Sequence, residues 1–215
     1  PDYKANRKDK YKEQTDTEKK EFEQFMGEFA SAFKKLKDKG YLVLRHGGLE
    51  ADDLAAWIVG KRQEFNIGDI WLISSDKDWD LLISEHVSRF STVTRKEITL
   101  DNWDEHYNVE PDKYLTLKCL AGDTGDNVPG IAGIGPKRAV SLIEEYGDLY
   151  DIYNSCPIDS KYKFIQSLNE NADRLLLNAE LMDLESYSEQ AIIESGMNLE
   201  DLSSDIIGYL DGSNN

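Results

Sequence analysis

Cysteine and histidine, the side chains that most often hold transition metals, are scarce in this sequence of 215 residues. Its two cysteines, Cys119 and Cys156, lack metal-ligand spacing and lie among residues typical of intracellular proteins, which predicts reduced thiols and no disulfide. No segment approaches the roughly 18 consecutive apolar residues of a membrane span, and the lysine-rich start lacks the apolar core of a signal peptide. We therefore expect a globular cytoplasmic protein without a membrane segment.

The sequence also lacks the usual pattern of a nucleophilic hydrolase. The three histidines, His46, His86 and His106, show neither ligand spacing nor an adjacent nucleophile. Ser74 and Ser75 have no general base nearby in the sequence. Serine-type hydrolysis is therefore not supported, and chemistry that uses acidic residues and a metal remains.

Basic residues are few, with 25 Lys and Arg against 42 Asp and Glu and a net charge of −17. Such a balance argues against nucleic acid, because phosphate binding normally leaves a basic footprint. The acidity is uneven, however, since residues 155–215 hold twelve acids against three bases and residues 1–12 hold five bases against two acids. If the seven acids described below bind metal, the remaining surface is close to neutral.

The hydrophobic pattern predicts an α/β protein that becomes helical after Pro111. Thr15 and Glu18 form a capping-box pattern before a helix that ends at Gly40. Strands are predicted at 41–45, 70–74, 87–94 and 97–100, and a helix at 50–64, so that the first elements follow a β-α-β order. An apolar stripe on the first helix is predicted to be core: Phe22, Phe25, Met26, Phe29, Phe33 and Leu36.

The first acidic cluster, Glu50-Ala51-Asp52-Asp53, opens a predicted helix that follows two glycines. Glu50 and Asp53 are three residues apart and share a helical face, with Asp52 about a quarter-turn away. Helix capping and the macrodipole explain such acids equally well, so this cluster alone proves no metal site.

The second cluster, Asp76-Lys77-Asp78, directly follows the apolar strand at 70–74. Carboxylates at i and i+2 on extended backbone point the same way, and ligands bind at the carboxyl ends of strands in open α/β sheets. A solvated turn in which Asp78 caps the next helix is the alternative. Asp80 would face elsewhere on a helix and is predicted to lie on the surface.

The third cluster, Gly122-Asp123-Thr124-Gly125-Asp126-Asn127, again places carboxylates three residues apart among glycines. An ordinary acidic turn has the same composition. The three clusters together are more informative, because seven converging carboxylates would repel one another severely without cations. Oxygen-only clusters select Mg²⁺ or Mn²⁺, and two such ions roughly 4 Å apart stabilise in-line attack on a phosphodiester.

A glycine-rich turn at 128–138 precedes a predicted helix that begins near Pro136 and ends at Gly147. The backbone N–H groups at that helix start, with Lys137 and Arg138 beside them, predict an anion site that holds a DNA phosphate without reading a base. Ordinary tight-turn chemistry also accounts for its glycines, Gly130, Gly133 and Gly135.

These motifs, in this order, resemble those of the 5′-nuclease family, which includes phage flap endonucleases and the 5′-nuclease domain of bacterial DNA polymerase I. The three acidic clusters each look like one of its metal-binding motifs. Gly130 to Arg138 looks like its helix–turn–helix DNA clamp, which in relatives also holds K⁺ through backbone carbonyls, here those of Val128, Ile131 and Ile134. Tyr3-Lys4-Ala5-Asn6-Arg7 is similar to the base of the family's helical arch.

The resemblance implies a mixed sheet flanked by helices, an arch over the active site, and hydrolysis of DNA at 5′ flaps, ends or nicks by a monomer. Lys4 and Arg7 would stabilise charge on the scissile phosphate. The metals, two Mg²⁺ or Mn²⁺, would be held directly or through water by the seven acids: Glu50, Asp52, Asp53, Asp76, Asp78, Asp123 and Asp126.

The family's first strand, with its metal-binding aspartate, would lie before Pro1, so a preceding portion is expected, in the same chain or as a separate fragment that binds noncovalently. The implied organisation is a partial nuclease core with the arch at 1–110, a helical clamp region at 111–185 and an acidic tail at 186–215.

Two other interpretations remain open. A haloacid-dehalogenase-type phosphatase also has two aspartates after a strand, but here Trp79 and Asp80 follow Asp78 where that family has a threonine or valine after one intervening residue. A non-catalytic DNA-junction binder would keep the clamp without the metals.

Overall fold

The computed structural model of the protein describes residues 14–212, so Lys4 and Arg7 of the predicted arch lie outside the described residues. The described chain begins with two helices and a small sheet and continues as a series of helices. None of its helices is long and apolar enough to cross a membrane. The helices are α1 (Asp16–Asp38), α2 (Ala51–Gly60), α3 (Tyr114–Ala121), α4 (Pro136–Tyr146), α5 (Leu149–Ser155), α6 (Lys163–Glu170), α7 (Asp173–Met182), α8 (Leu184–Glu194) and α9 (Leu199–Leu210); the strands are β1 (Ile70–Ile73), β2 (Val87–Ser91), β3 (Lys96–Ile98), β4 (Gly122–Asp123) and β5 (Val128–Pro129).

Helix α1 confirms the predicted capping box but not the predicted core. The Thr15 hydroxyl accepts the Glu18 N–H, and the Glu18 carboxylate accepts the Thr15 N–H at 2.7 Å. No side chain of α1 is buried, and Phe25 and Phe29 are 56% and 41% exposed. The core prediction for this stripe is therefore wrong, because within residues 14–212 no element buries it.

The mixed sheet has the order β1-β2-β3, with β1 and β2 parallel and β2 and β3 antiparallel. Only one face of β1 is covered: Leu72 is buried, whereas Trp71 and Ile73 are 51% and 59% exposed. This differs from the doubly buried strand that its apolar sequence predicts. The strand predicted at 41–45 is also absent, although Leu42 and Leu44 pack partly against the core beside α2.

Residues 186–210, predicted as part of an acidic tail, form most of α8 and α9 and pack against α2. Ile192, Leu202 and Ile206 are at most 4% exposed and share one apolar cluster with Leu54 and Trp57. The acidic residues of this segment lie outside that cluster, so amphipathic helices with an acidic outer surface account for the composition.

The helical part has its own core, which connects α3 to α7. Asn178 is fully buried there, and its Nδ2 donates to the carbonyls of Cys119 and Pro129 at 2.9 and 3.0 Å. This amide ties α7 to the end of α3 and to β5. Both cysteines are free thiols, as the sequence predicts. The domain boundaries themselves stay a prediction.

The β4–β5 hairpin depends on two glycines that bring backbones into contact. Gly122 has φ +80°, and a Cβ there would lie 2.2 Å from the Gly130 nitrogen. A Cβ on Gly130 would lie 2.3 Å from the carbonyl carbon of Ala121. Only glycine fits at these two positions. Their close approach fixes the direction of the chain after α3 and so the position of Asp123.

We expect Gly130→Ala to lower the free energy of unfolding by about 3 kcal/mol or more, since backbone atoms must move apart to admit the methyl group. Gly68→Ala is the matched control, because a Cβ there meets nothing within 4 Å, and it should change stability by less than about 0.5 kcal/mol. Urea unfolding followed by circular dichroism measures both. Equal stability of the two variants would contradict the close approach.

Candidate metal centre and DNA-binding turn

The three acidic clusters meet at one cavity of about 270 Å³. Its walls come from the start of α2, the loop after β1, the hairpin after α3 and the junction of α7 with α8, segments far apart in the sequence. The junction adds two acids that the sequence did not single out, Glu180 and Asp183. Six of the seven predicted metal ligands line it: Glu50, Asp52, Asp53, Asp78, Asp123 and Asp126.

The first cluster lies at the N-terminus of α2, and capping and cavity lining coexist there. Asp53 accepts the Glu50 N–H at 3.2 Å, which is the capping role expected of an acid in a first turn. Asp52 accepts a hydrogen bond from the indole of Trp79 at 2.7 Å. That contact links the first cluster directly to the loop that carries the second.

In the second cluster, the structure brings Asp78 to the cavity and leaves Asp76 outside its lining. Asp76 is exposed, and its carboxylate accepts the Asp78 N–H at 3.1 Å within its own turn. This local hydrogen bond is the ordinary behaviour of an aspartate in a turn and directs its carboxylate along the loop. Asp78 is half-buried and faces α3.

The prediction that Asp80 lies on the surface is wrong. Asp80 is 1% exposed and forms an ion pair with Arg89, which is 3% exposed. The short Asp78–Leu82 segment is a 3₁₀ helix, whose three residues per turn direct Asp80 toward β2 and not to solvent.

In the third cluster, Asp123 is fixed by the loop that follows it. Its Oδ1 accepts the N–H groups of Gly125 and Asp126 at 2.8 and 3.3 Å. Its other oxygen, Oδ2, accepts from Lys118 at 2.9 Å. Burial opposes ionisation, but the lysine and the backbone donors outweigh it and lower the pKa of Asp123.

Lys118 is the functional candidate that sequence reasoning missed. Its ammonium bridges two of the clusters, 2.5 Å from Asp78 Oδ1 and 2.9 Å from Asp123 Oδ2, and its side chain is only 10% exposed. Burial would lower the pKa of Lys118, but the charge of Asp78 and the hydrogen bonds to both carboxylates raise it. The available signal was that Lys118 is the sole charged residue of α3.

The donor set fits a hard divalent ion by its chemistry. All cavity-lining acids offer oxygen, the ligand that Mg²⁺ and Mn²⁺ prefer. Within residues 14–212, however, no three acidic, histidine or cysteine side chains are close enough to hold one ion together. The Lys118 ammonium provides positive charge between two of the carboxylates, those of Asp78 and Asp123.

The glycine-rich turn leads into α4 as predicted, with Gly135 immediately before the helix and Pro136 at its first position. Gly133 has φ +81°, and a Cβ on Gly135 would meet nothing within 4 Å. Lys137 and Arg138 are both exposed. Three apolar side chains anchor the turn to the helical core and are at most 4% exposed: Val128, Ile131 and Ile134.

Arg138 is held in place and not freely mobile. Its Nη1 donates to the Gly133 carbonyl at 2.5 Å, and its guanidinium lies 4.5 Å from the centre of the Phe164 ring. Both contacts keep a positive charge beside the turn.

The glycine-rich turn before α4 lies next to the acidic site. A second cavity, of about 370 Å³, is lined by Pro136 and Lys137 from the start of α4 and by Asp78, Lys118 and Asp123 from the acidic site. An anion held at the start of α4 would therefore lie next to the carboxylates.

Comparison with known proteins identifies similar chains. A family model described as the C-terminal SAM fold of 5′-3′ exonuclease matches residues 109–204. The flap endonuclease of Escherichia phage T5 is 41% identical over 202 residues, which are 94% of this chain and 69% of that protein.

Solved structures give the same result. The T5 5′-exonuclease with bound zinc superposes with a TM-score of 0.89 at 39% identity, covering 97% of this chain and 77% of that one. A T5 flap endonuclease complex with DNA and metal ions has a TM-score of 0.89 at 39% identity, covering 98% and 78%.

We expect Lys118→Met to destabilise the metal-free protein by about 2 to 3 kcal/mol, because Asp78 and Asp123 lose their shared counterion. Added Mn²⁺ should then raise the melting temperature of the variant more than that of the wild type, since the ion relieves the repulsion. Lys113→Met is the control, because Lys113 lies outside the acidic cavity and forms an ion pair with the exposed Asp112 at 3.4 Å. Differential scanning calorimetry with and without Mn²⁺ measures both effects. An unchanged Mn²⁺ shift in Lys118→Met would contradict this role.

Proposed function

Since the chain belongs to the family of 5′-3′ exonucleases and flap endonucleases, we propose that it is the metal-binding and DNA-gripping part of a structure-specific 5′ nuclease. The substrate is DNA with a 5′ flap, end or nick, and the reaction is hydrolysis of a phosphodiester. The observation that carries the proposal is the meeting of three distant acidic segments at one cavity beside a helix N-terminus.

The cofactor is a pair of divalent ions, Mg²⁺ or Mn²⁺. Six acids would hold them directly or through water: Glu50, Asp52, Asp53, Asp78, Asp123 and Asp126. The Asp76 carboxylate would support Asp78 by accepting its backbone N–H. When bound, such ions lower the pKa of a water and neutralise charge on a phosphate. Electrostatic repulsion among these carboxylates would be reduced by bound cations.

The DNA backbone binds at the turn before α4. The first-turn N–H groups of a helix attract phosphate, and Lys137 and Arg138 add positive charge there. Gly135 leaves space for close approach of a phosphate. A K⁺ held by the carbonyls of Val128, Ile131 and Ile134, and contacts of Lys4 and Arg7 with the scissile phosphate, complete the proposed grip.

The charged groups around the second cavity would determine how a DNA strand lies on the protein. Lys137 at the start of α4 and the carboxylates of Asp78 and Asp123 line the same second cavity. A DNA strand anchored through its backbone at the turn would pass over the acids without any contact to base edges. Recognition would then depend on the structure of the DNA and not on its sequence.

We expect Asp123→Asn to reduce Mg²⁺-dependent cleavage of a 5′-flap duplex by the intact protein by more than about 100-fold, a larger loss than the 10- to 100-fold caused by removing a partner of a metal ligand. Asp104→Asn is the control, because Asp104 is exposed and lies in a 3₁₀ turn outside the acidic cavity. Denaturing electrophoresis of end-labelled DNA measures the product. Flap binding that is independent of metal and yields no product in the wild type would instead support a non-catalytic junction binder.

A further polypeptide segment, from the same protein or a separate fragment, covers the exposed apolar surface of α1 and β1. Trp71 and Ile73 project from β1, and Phe25, Phe29 and Leu36 from α1, with exposures of 41% to 59%. Monomeric proteins rarely leave such surface open, and within residues 14–212 β1 pairs only with β2. A parallel strand added at that edge would have its carboxyl end near the acidic loop.

For this segment we expect Trp71→Ser to change the stability of the present chain by less than about 1 kcal/mol, because the side chain is half exposed. In the intact protein, where the covering segment is present, the same change should cost about 3 kcal/mol or more. Chemical denaturation of both proteins measures the difference. Equal small effects in the two contexts would show that the surface stays open.

A further inference from the structure

The chain buries an ion pair directly behind the acidic loop. Arg89 in β2 and Asp80 in the 3₁₀ turn have side-chain exposures of 4% and 0%. The guanidinium is bidentate: Nε donates to Asp80 Oδ1, and Nη2 donates to Oδ2 at 2.8 Å.

The same guanidinium also holds the other end of the loop. Its Nη1 donates to the carbonyl of Ser74 at 2.9 Å. Ser74 is the last residue before the loop 75–79 and Asp80 the first after it, so one planar group fixes both ends. The loop between them carries Asp76, Asp78 and Trp79, and Trp79 contacts Asp52.

Inside the loop, two successive hydrogen bonds connect Ser74 to Asp76 and Asp76 to Asp78, so the position of Asp78 depends on that of Ser74. The Ser74 hydroxyl accepts the Asp76 N–H at 3.1 Å, and the Asp76 carboxylate accepts the Asp78 N–H at 3.1 Å. A shift of Ser74 would therefore move Asp76 and then Asp78, the residue that contacts Lys118.

The network also reaches α3. Tyr107 donates its hydroxyl proton to Asp80 Oδ2, and burial together with this bond raises the pKa of Tyr107, which keeps the proton in place. Tyr114 lies 3.4 Å from the Tyr107 oxygen and one helical turn before Lys118 on α3. The spacing between the acidic loop and α3 is thus set by one connected group of side chains.

Stability alone does not account for this group. Burying two charges costs several kcal/mol each, and apolar side chains of similar volume usually stabilise a fold as well or better. Its three directed donors, by contrast, require the planar fork of arginine, which lysine cannot supply.

We propose that Arg89 and Asp80 are positioning residues that fix the loop 75–79 and thereby the distance of Asp78 from the other cavity carboxylates. This inference rests on the proposed function for its effect on divalent ions. Neither residue touches the cavity, so neither is a ligand or a catalytic group.

The test compares the wild type, Arg89→Lys, and the double variant Asp80→Leu with Arg89→Met, in which both charges are removed together. Lys61→Met is the control, since it breaks a partly exposed ion pair with Glu64 and Glu189 at the far end of α2. Circular dichroism and thermal melting establish folding. The double variant leaves no unpaired buried charge, but the Tyr107 hydroxyl and the Ser74 carbonyl each lose a partner. It is therefore expected to fold and to melt below the wild type.

Two readouts are then taken on the folded variants. Hydrogen exchange without metal follows the backbone amides of Asp76 and Asp78, which should exchange at least about tenfold faster in both variants while the β2 amides stay protected. Titration calorimetry with Mn²⁺ should show affinity about 10- to 100-fold weaker than that of the wild type and of Lys61→Met.

Wild-type exchange at Asp76 and Asp78 in the folded double variant would overturn the positioning role, whatever the metal data show. Accelerated exchange with unchanged Mn²⁺ affinity would overturn its link to the metal. If the wild type binds no Mn²⁺ while the exchange result holds, the proposed metal site fails and the positioning of the loop stands.

Discussion

Repulsion among carboxylates is the constraint on which this structure depends. Eight acidic side chains from four segments line one cavity, where each lowers the stability of the others' charged forms. The fold offsets this repulsion with the partly buried Lys118, whose ammonium contacts Asp78 and Asp123. Divalent ions would stabilise the ionised carboxylates of such a site more strongly than one lysine does, because they coordinate the carboxylate oxygens directly.

The scaffold supplies the acids on backbone that is fixed in three different ways. The N-terminus of α2 uses Asp53 as its own cap, the loop after β1 is held by Arg89 at both ends, and the hairpin after α3 is fixed by the contact of Gly122 with Gly130. The same hairpin leads directly into the turn before α4. A single short stretch of chain therefore places an acid beside the start of α4, where we propose that the DNA backbone binds.

Several elements followed from the sequence because their causes are local. The capping box at Thr15, the helix after Pro136 and the two strands that became β2 and β3 depend on neighbouring residues, and the structure confirms them. The core assigned to α1 was wrong because periodicity shows which face is apolar but not what covers it. Asp80 was misplaced because a 3₁₀ turn rotates its side chain toward Arg89, a partner nine residues away on another element.

The sequence by itself determined the types of donor and their order along the chain: oxygen ligands in three clusters, then a glycine-rich turn before a helix with two basic residues. Composition and spacing suffice for that, because ion preference follows from ligand chemistry. Only the tertiary structure decided that the clusters share a cavity, that Asp76 lies outside its lining, and that Lys118 joins two of them. Those facts depend on contacts across 40 residues and more, such as Lys118 with Asp78, which no local pattern records.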